Sequence, residues 1–322
     1  MAKSVPVHFE MNDYVVNRLK LRPLVIFDMV LKTHSVIQAA GLLNLSQPTV
    51  TKAIKELESQ LNLLLFDRTS RGMQPTQAGL LLGSRVKILL AEMRYLADDI
   101  NSFQQAGRGH VVVGTLLSGS AHLLPETIIQ LKKQSPNIVL TVIEGTTQAL
   151  YSSLQQGELD LVIGRLPSKM SGFYQVSNFQ HVTLYKEQLS LVVNPQHELL
   201  ALGLLELPGL IDYPWILPLR TTLMRSLIMG YFNDYGLAEP ENLIESVSIL
   251  TNVNILLNSN AICCVSSLVA KQLEQYGLVT ILPLGDIGEP IDVGYSYRKK
   301  GNLTPACQKF IHYLHQHMLS NP

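Results

Sequence analysis

From Leu21 to about Ser70, apolar residues recur three and four positions apart in short runs separated by tight breaks, the period of small helices. Leu24, Phe27 and Leu31 open a first helix. Ser35 is placed to N-cap a second, Val36 to Leu43, whose Ala39 and Ala40 suit two helices crossing at close range. A third runs from Gln47 to about Leu61. At ~100° per residue, Val50, Ala53, Ile54, Leu57 and Leu61 share one face, which predicts its core side. Pro48, Lys52, Lys55 and Ser59 lie opposite, with Gln47 and Thr51 on one flank and Thr49 on the other. Ser46 is the N-cap. Because Pro48 has no amide hydrogen, the Ser46 side chain is expected to accept from Thr49.

Leu63–Phe66 is a short apolar run, and Asp67–Thr76 reads as a turn and a return strand. This predicts a β-hairpin with Arg68 and Arg71 at its tip. Thr76 then caps a long helix reaching about Phe103. Along it Leu82, Val86, Leu89, Met93, Leu96, Ile100 and Phe103 alternate four and three apart, a heptad seam. Such a seam needs another helix. A second copy of the chain supplies one, and packing on the chain's own downstream domain is the alternative. Leu80, Leu81, Ile88 and Leu90 widen the apolar surface, part of which is expected to pack on the N-terminal helices.

Gly107-Arg108-Gly109 breaks the long helix and reads as a linker. Beyond it β-branched and apolar runs alternate with helical patterns: Val111–Leu117, Ile138–Ile143, Leu161–Gly164, Leu189–Val193, Trp215–Leu217 and Ala261–Val265. Alternation of this kind predicts an α/β domain with largely parallel sheets. Ligands of such sheets bind beyond the carboxyl ends of strands. The residues there are Ser118, Gly119 and Ser120, then Thr146 and Thr147, then Arg165. Later strands are followed by Arg220, Thr221 and Thr222, and by Ser266. Each Ser or Thr is equally compatible with simple helix capping. Arg165 and Arg220 are the first candidates to grip an anionic group. Arg225, one turn further, fits a pocket or a salt bridge.

Composition adds limits. The 322 residues exceed one ordinary core, so two or three units are expected. Net charge is zero, which argues mildly against nucleic-acid binding, yet between Arg18 and Pro75 eight basic residues stand against four acidic ones. Three cysteines, two of them adjacent at Cys263 and Cys264, give neither a disulfide framework nor zinc spacing. The first fifteen residues lack an apolar signal-peptide core. No uncharged apolar run reaches the ~20 residues that span a bilayer, so a cytoplasmic protein without membrane association is expected. There is no GxxxxGK[ST] loop, no GxGxxG after a strand, no GxSxG elbow and no assembled triad. His312 and His315 read as a solvated helix face. No cofactor, metal site or catalytic residue is expected.

The outer face of the third helix suits a DNA major groove: Gln reads base edges, Thr meets bases or a thymine methyl, and Lys meets phosphate or guanine. An ordinary solvated helix face fits the helix taken alone. The run Ala39-Ala40-x-x-Leu43-x-Leu45-Ser46-Gln47-Pro48-Thr49-Val50-Thr51-Lys52-x-Ile54-Lys55-x-Leu57-Glu58, followed by Leu65-Phe66-Asp67-Arg68 and Pro75-Thr76-x-Ala78-Gly79, resembles the winged helix-turn-helix of LysR-type transcriptional regulators. That family often has Ala or Ser where Thr49 stands, and Ser and Arg where Thr51 and Lys52 stand. The resemblance implies a DNA-binding site of Ser46, Gln47, Pro48, Thr49, Thr51, Lys52, Lys55, Arg68 and Arg71. It also implies a linker helix that dimerises through Leu82, Val86, Leu89, Met93, Leu96 and Ile100, often with assembly to a tetramer.

The downstream region is similar in element order to a two-lobed effector domain resembling type 2 periplasmic binding proteins. Asp160-Leu161-Val162-Ile163-Gly164-Arg165-Leu166-Pro167 looks most like the subgroup regulating galactose-binding-protein operons or protocatechuate breakdown. The expected organisation is α+β and multidomain: an arm (1–20), a winged helix-turn-helix (21–75), a linker helix (76–106) and an effector domain (107–322). Lobe I takes about 110–182 and 290–322, and lobe II about 183–289, with crossings near Val182–Gln188 and Pro283–Ile291. Expected partners are an operator duplex, a small-molecule effector (a sugar or an aromatic acid), further copies of the chain, and RNA polymerase. The alternative is an enzyme or solute-binding protein on the two-lobed fold, with the N-terminal helices serving assembly.

Overall fold

The computed structural model describes residues 19–69, 72–104, 108–116, 123–167, 178–202, 205–285, 287–299 and 303–320. The chain divides into two compact units, Met1–Ala97 with Gln156–Glu158, and Asp98–Gln155 with Leu159–Pro322. The division falls within the long helix. The expected break at Gly107, and the N-terminal arm through residue 18, lie outside the described residues.

In the first unit, α1 (Leu21–Thr33), α2 (Val36–Leu42) and α3 (Gln47–Leu61) precede a hairpin of β1 (Phe66–Thr69) and β2 (Gly72–Pro75). His34 ends α1 in a left-handed conformation, and Ser35 caps α2 by accepting from the Gln38 amide at 3.3 Å. Phe27, Val30, Ala39, Val50, Ile54, Leu57, Leu65 and Phe66 form one buried cluster, as the helical period requires. Each fully buried aliphatic side chain there contributes about 1.5–3 kcal/mol. Gly72 has φ +102°, and a Cβ on it would meet the His34 carbonyl oxygen at 2.5 Å. The Met73 amide donates to that same oxygen at 2.9 Å, so β2 lies directly on the end of α1.

The long helix α4 (Gln77–Gln104) starts at Thr76, whose Oγ1 accepts from the Gly79 amide at 3.0 Å and donates to the Leu64 carbonyl at 2.7 Å. Its seam divides. Val86, expected to face a second copy, is 3% exposed within the helical cluster of its own unit, and Leu82 and Leu90 pack against that cluster. Leu89, Met93, Leu96 and Ile100 are exposed, as are Leu80 and Leu81. A heptad period cannot distinguish a partner helix from the helices just upstream. Here the first turns serve the intramolecular core.

The second unit holds β3 (Gly109–Thr115), α5 (Leu123–Gln134), β4 (Ile138–Glu144), α6 (Thr147–Gln156), β5 (Leu161–Arg165) and β6 (Phe179–Val193). Then come β7 (Trp215–Leu217), α7 (Leu223–Asp234), β8 (Leu243–Glu245), α8 (Ile249–Leu257), β9 (Ile262–Ser266), α9 (Ser267–Gln275), β10 (Thr280–Ile281), β11 (Ile287–Arg298) and α10 (Pro305–Ser320). The strand order is β4-β3-β5-β11-β6-β9-β7-β8, with β10 beside β6. Period-two alternation covers both faces of lobe I. Val111 and Val113 pack with Leu131 and Phe310, while Val112 packs with Leu150 and Leu154. In lobe II, Leu191 and Val193 join Trp215 and Phe232, and Val192 joins Ile216 and Leu256.

The sheet is less parallel than the sequence suggested. β3, β4 and β5 are mutually parallel, as are β7, β8 and β9, but β6 and β11 pair antiparallel with each other and with their neighbours. The reason is topological: β6 runs from the first lobe to the second, and β11 returns along it. At Gly294 a Cβ would meet the Val182 carbonyl oxygen at 1.9 Å, so only glycine lets the two crossing strands approach there.

Candidate functional site

The outward face of α3 owes its geometry to what is fixed behind it. Val50, Ile54 and Leu57 are buried, which locks the helix rotation. Ser46 accepts from the Thr49 amide at 3.3 Å, and the two hydroxyls lie 2.8 Å apart. The Glu58 carboxylate, on the flank, accepts from the Leu65 amide at 2.8 Å and the Phe66 amide at 3.2 Å. It thereby ties the start of the hairpin to the helix, a role the sequence reading did not assign. What remains outside is Ser46, Gln47, Pro48, Thr49, Lys52 and Lys55, all exposed, with Thr51 half-buried beside them. Lys52 lies 3.7 Å from Glu56 on the surface, a weak i,i+4 pair that leaves its ammonium available. The helix N-terminus at Gln47 adds a positive dipole end.

Arg68 is exposed but sits inside β1, opposite Met73, and not in the turn where it was expected. Arg71 lies outside the described residues.

The second unit brings strand ends together. The carboxyl end of β5, Arg165, aligns through Val293 with Tyr185 of β6. From the other side, the carboxyl end of β9, Ser266, aligns with Leu189. Both parallel sets therefore aim their carboxyl ends at Tyr185–Leu189, the segment where the chain crosses between lobes.

Several hydroxyl candidates at the strand ends are helix caps. Thr146 Oγ1 accepts from the Ala149 amide at 3.3 Å, and Thr222 Oγ1 from the Arg225 amide at 3.2 Å. Ser266 Oγ, buried, accepts from the Val269 amide at 3.3 Å. Thr147 is the first residue of α6 and half-buried, and Thr221 is exposed. Ser118, Gly119 and Ser120 lie outside the described residues.

The arginines carry carboxylate partners. Arg165 Nε donates to Glu187 Oε2 at 3.2 Å, and Arg220 Nη2 to Glu239 Oε2 at 2.8 Å. Arg225, buried, donates to Glu239 and to the Pro218 carbonyl at 2.7 Å, with Glu245 3.5 Å away. The Arg225 hydrogen bond holds the Glu239 carboxyl below its ordinary value, and the charges of both arginines add to this. Tyr185, on the same strand face as Glu187, has its phenol pushed up by burial and then by that carboxylate. The sequence reading missed Tyr185 and Glu187. Their signal was a charge at a period-two position of a strand whose neighbour on that face, Leu189, is apolar.

Burial pushes the Cys263 thiol up to about 12, which makes it unreactive. Among the described residues no group of three or more His, Cys, Asp or Glu could hold a metal ion, and no helix is long and apolar enough to cross a membrane.

Both units match known protein families. Residues 21–80 match the family model described as "Bacterial regulatory helix-turn-helix protein, lysR family", and residues 104–319 match "LysR substrate binding domain". The chain is 29% identical over 304 residues to the HTH-type transcriptional regulator GbpR of Azospirillum brasilense, covering 94% of this chain and 88% of that protein. It is 32% identical over 280 residues to the regulator PcaQ of Agrobacterium fabrum, covering 85% and 88%. In fold it is similar to full-length OxyR of Pseudomonas aeruginosa (TM-score 0.67, 21% identity, covering 94% and 95%). It is also similar to full-length CbnR in complex with its target DNA (TM-score 0.65, 18% identity, covering 92% and 99%).

Proposed function

Because this chain belongs to the LysR family of DNA-binding transcriptional regulators, we propose that α3 is its reading helix and that the cleft of the second unit receives a small-molecule effector. The observation that carries the reading is the outer face of α3. Gln47, Thr49, Lys52 and Lys55 are exposed on a helix whose opposite side is sealed into a core. Gln47 and Thr51 then meet base edges, Lys52 and Lys55 meet phosphate or guanine, and Arg68 meets the backbone beside the groove. Ser46, Pro48 and Thr49 shape the helix start that approaches the duplex. Family membership removes the enzyme alternative.

The chain acts in the cytoplasm, on DNA, as a dimer. Leu89, Met93, Leu96 and Ile100 are exposed at heptad spacing on α4 and form the seam with a second copy. Two reading helices then meet a near-palindromic site at fixed spacing. Tetramer assembly and contact with RNA polymerase belong to the same reading. An effector acts by preferring one arrangement of the lobes, which shifts the population of DNA-bound forms.

A gel shift of the full chain on its own upstream DNA tests the central assignment. Binding is expected at low salt, with affinity falling steeply as salt rises because phosphate contacts release counterions. No shift at low salt refutes it. Leu89→Glu is expected to halve the sedimenting mass of the smallest assembly, and an unaltered sedimentation profile removes the seam.

A further inference from the structure

At the point where the two sets of strand ends meet stands a carboxylate. Glu187, whose side chain has 0% exposure, accepts Arg165 Nε on Oε2 at 3.2 Å. Its other oxygen, Oε1, is buried and has no hydrogen-bond partner, and the same is true of the Tyr185 hydroxyl two residues earlier. Both residues project from one face of β6: Tyr185 aligns through Val293 with Arg165 at the end of β5, and Glu187 lies between it and Leu189, which aligns with Ser266 at the end of β9. Buried polar groups are nearly always satisfied, so two orphans side by side at this junction point to groups that arrive with a ligand.

Their chemistry selects among ligands. A carboxylate only accepts hydrogen bonds, an ammonium only donates, and a hydroxyl does both. An anionic effector would bring its charge against Glu187. Arg220 beyond β7 and Arg225 in α7 are matched by Glu239 and Glu245. A cationic effector would face the Arg165 guanidinium, 3.2 Å from the same carboxylate. Neighbouring hydroxyls meet the acceptor and the donor together, since one can donate to Glu187 while the next accepts from the phenol or guanidinium. We infer that the cleft takes a neutral polyhydroxylated small molecule, one of whose hydroxyls donates to Glu187 Oε1 beside the Tyr185 hydroxyl. This rests on reading the second unit as the effector-binding part of the regulator.

The test is isothermal titration of the full chain with D-galactose, L-arabinose and D-glucose, and in parallel with D-galacturonate, D-gluconate and benzoate. At least one neutral sugar is expected to bind, and its acid about tenfold more weakly or not at all. Glu187→Gln should weaken sugar binding about tenfold or more, and Tyr185→Phe about threefold to tenfold. If Glu187→Gln fails to fold, Tyr185→Phe decides. Binding of a carboxylate without any neutral sugar, binding of neither set, or sugar binding indifferent to both substitutions overturns the inference. A gel shift of the unliganded chain, run alongside, separates the two readings. Its loss counts against the DNA-binding assignment and leaves the effector class to be judged by titration.

Discussion

The proposed reading helix of the first unit and the strand ends of the second hold similar residues, yet they use them oppositely. On α3 the polar groups are outside because Val50, Ile54 and Leu57 occupy the inside, and what is used locally is the Ser46–Thr49 contact of the cap and a weak Lys52–Glu56 surface pair. Around the cleft most candidate groups are consumed: Thr146, Thr222 and Ser266 by helix amides, and Arg165, Arg220 and Arg225 by carboxylates. A rigid helix that meets a rod-like duplex must present its groups in advance. A cleft between lobes can hold its groups in internal bonds and exchange them when a ligand arrives. On the proposed assignments, availability marks the nucleic-acid face, and unsatisfied burial marks the small-molecule site.

The largest expected effect attacks the back of the reading helix. Leu57→Ala should cost about 2–5 kcal/mol of stability in denaturant titration and abolish operator binding with it. If binding survives such a loss, the face does not depend on its core, and the contrast fails. Next, two arginines share Glu239 but differ in burial. Arg225→Ala should destabilise by about 2 kcal/mol, less than a fully dry pair because Glu239 is partly exposed. Arg220→Ala should cost about 0–1 kcal/mol. Equal costs would mean that burial does not govern the cluster.

Smaller again, Lys52→Ala should weaken operator binding about tenfold without changing thermal stability, and lower the salt slope by about one. The smallest effect is in acid. Arg225 holds the Glu239 carboxyl below its ordinary 4.5. Its contribution is therefore complete above that pH and fades as pH falls through the lowered value. In the Arg225→Ala variant this acid dependence should shrink, which urea melts between pH 3 and about pH 5 would read.

What could be read in the sequence follows the same contrast. The helix-turn-helix is contiguous, so caps, period and wing lie within one stretch. The Pro48-enforced bond from Ser46 to Thr49 follows from local chemistry alone. The strand-end cleft is assembled from distant segments. Arg165 was visible as a charge closing a strand, but its partner Glu187 lies 22 residues away on a strand read only as a crossing. Likewise Arg220 and Arg225 were visible, and Glu239 and Glu245 were not, because nothing local pairs them. β8 and β10 are two or three residues long and carry no period of their own. On α4 the period was right and its division wrong: Val86 serves the first unit's core and Leu89 the solvent side, which only packing decides.

The most direct measurement places a photo-reactive residue at position 47, in place of Gln47, and irradiates the full chain bound to its upstream duplex. Cross-links to bases of the duplex are the predicted result, since that side chain points away from its own core at the start of α3. Cross-links confined to the chain itself or to a second copy would contradict the account.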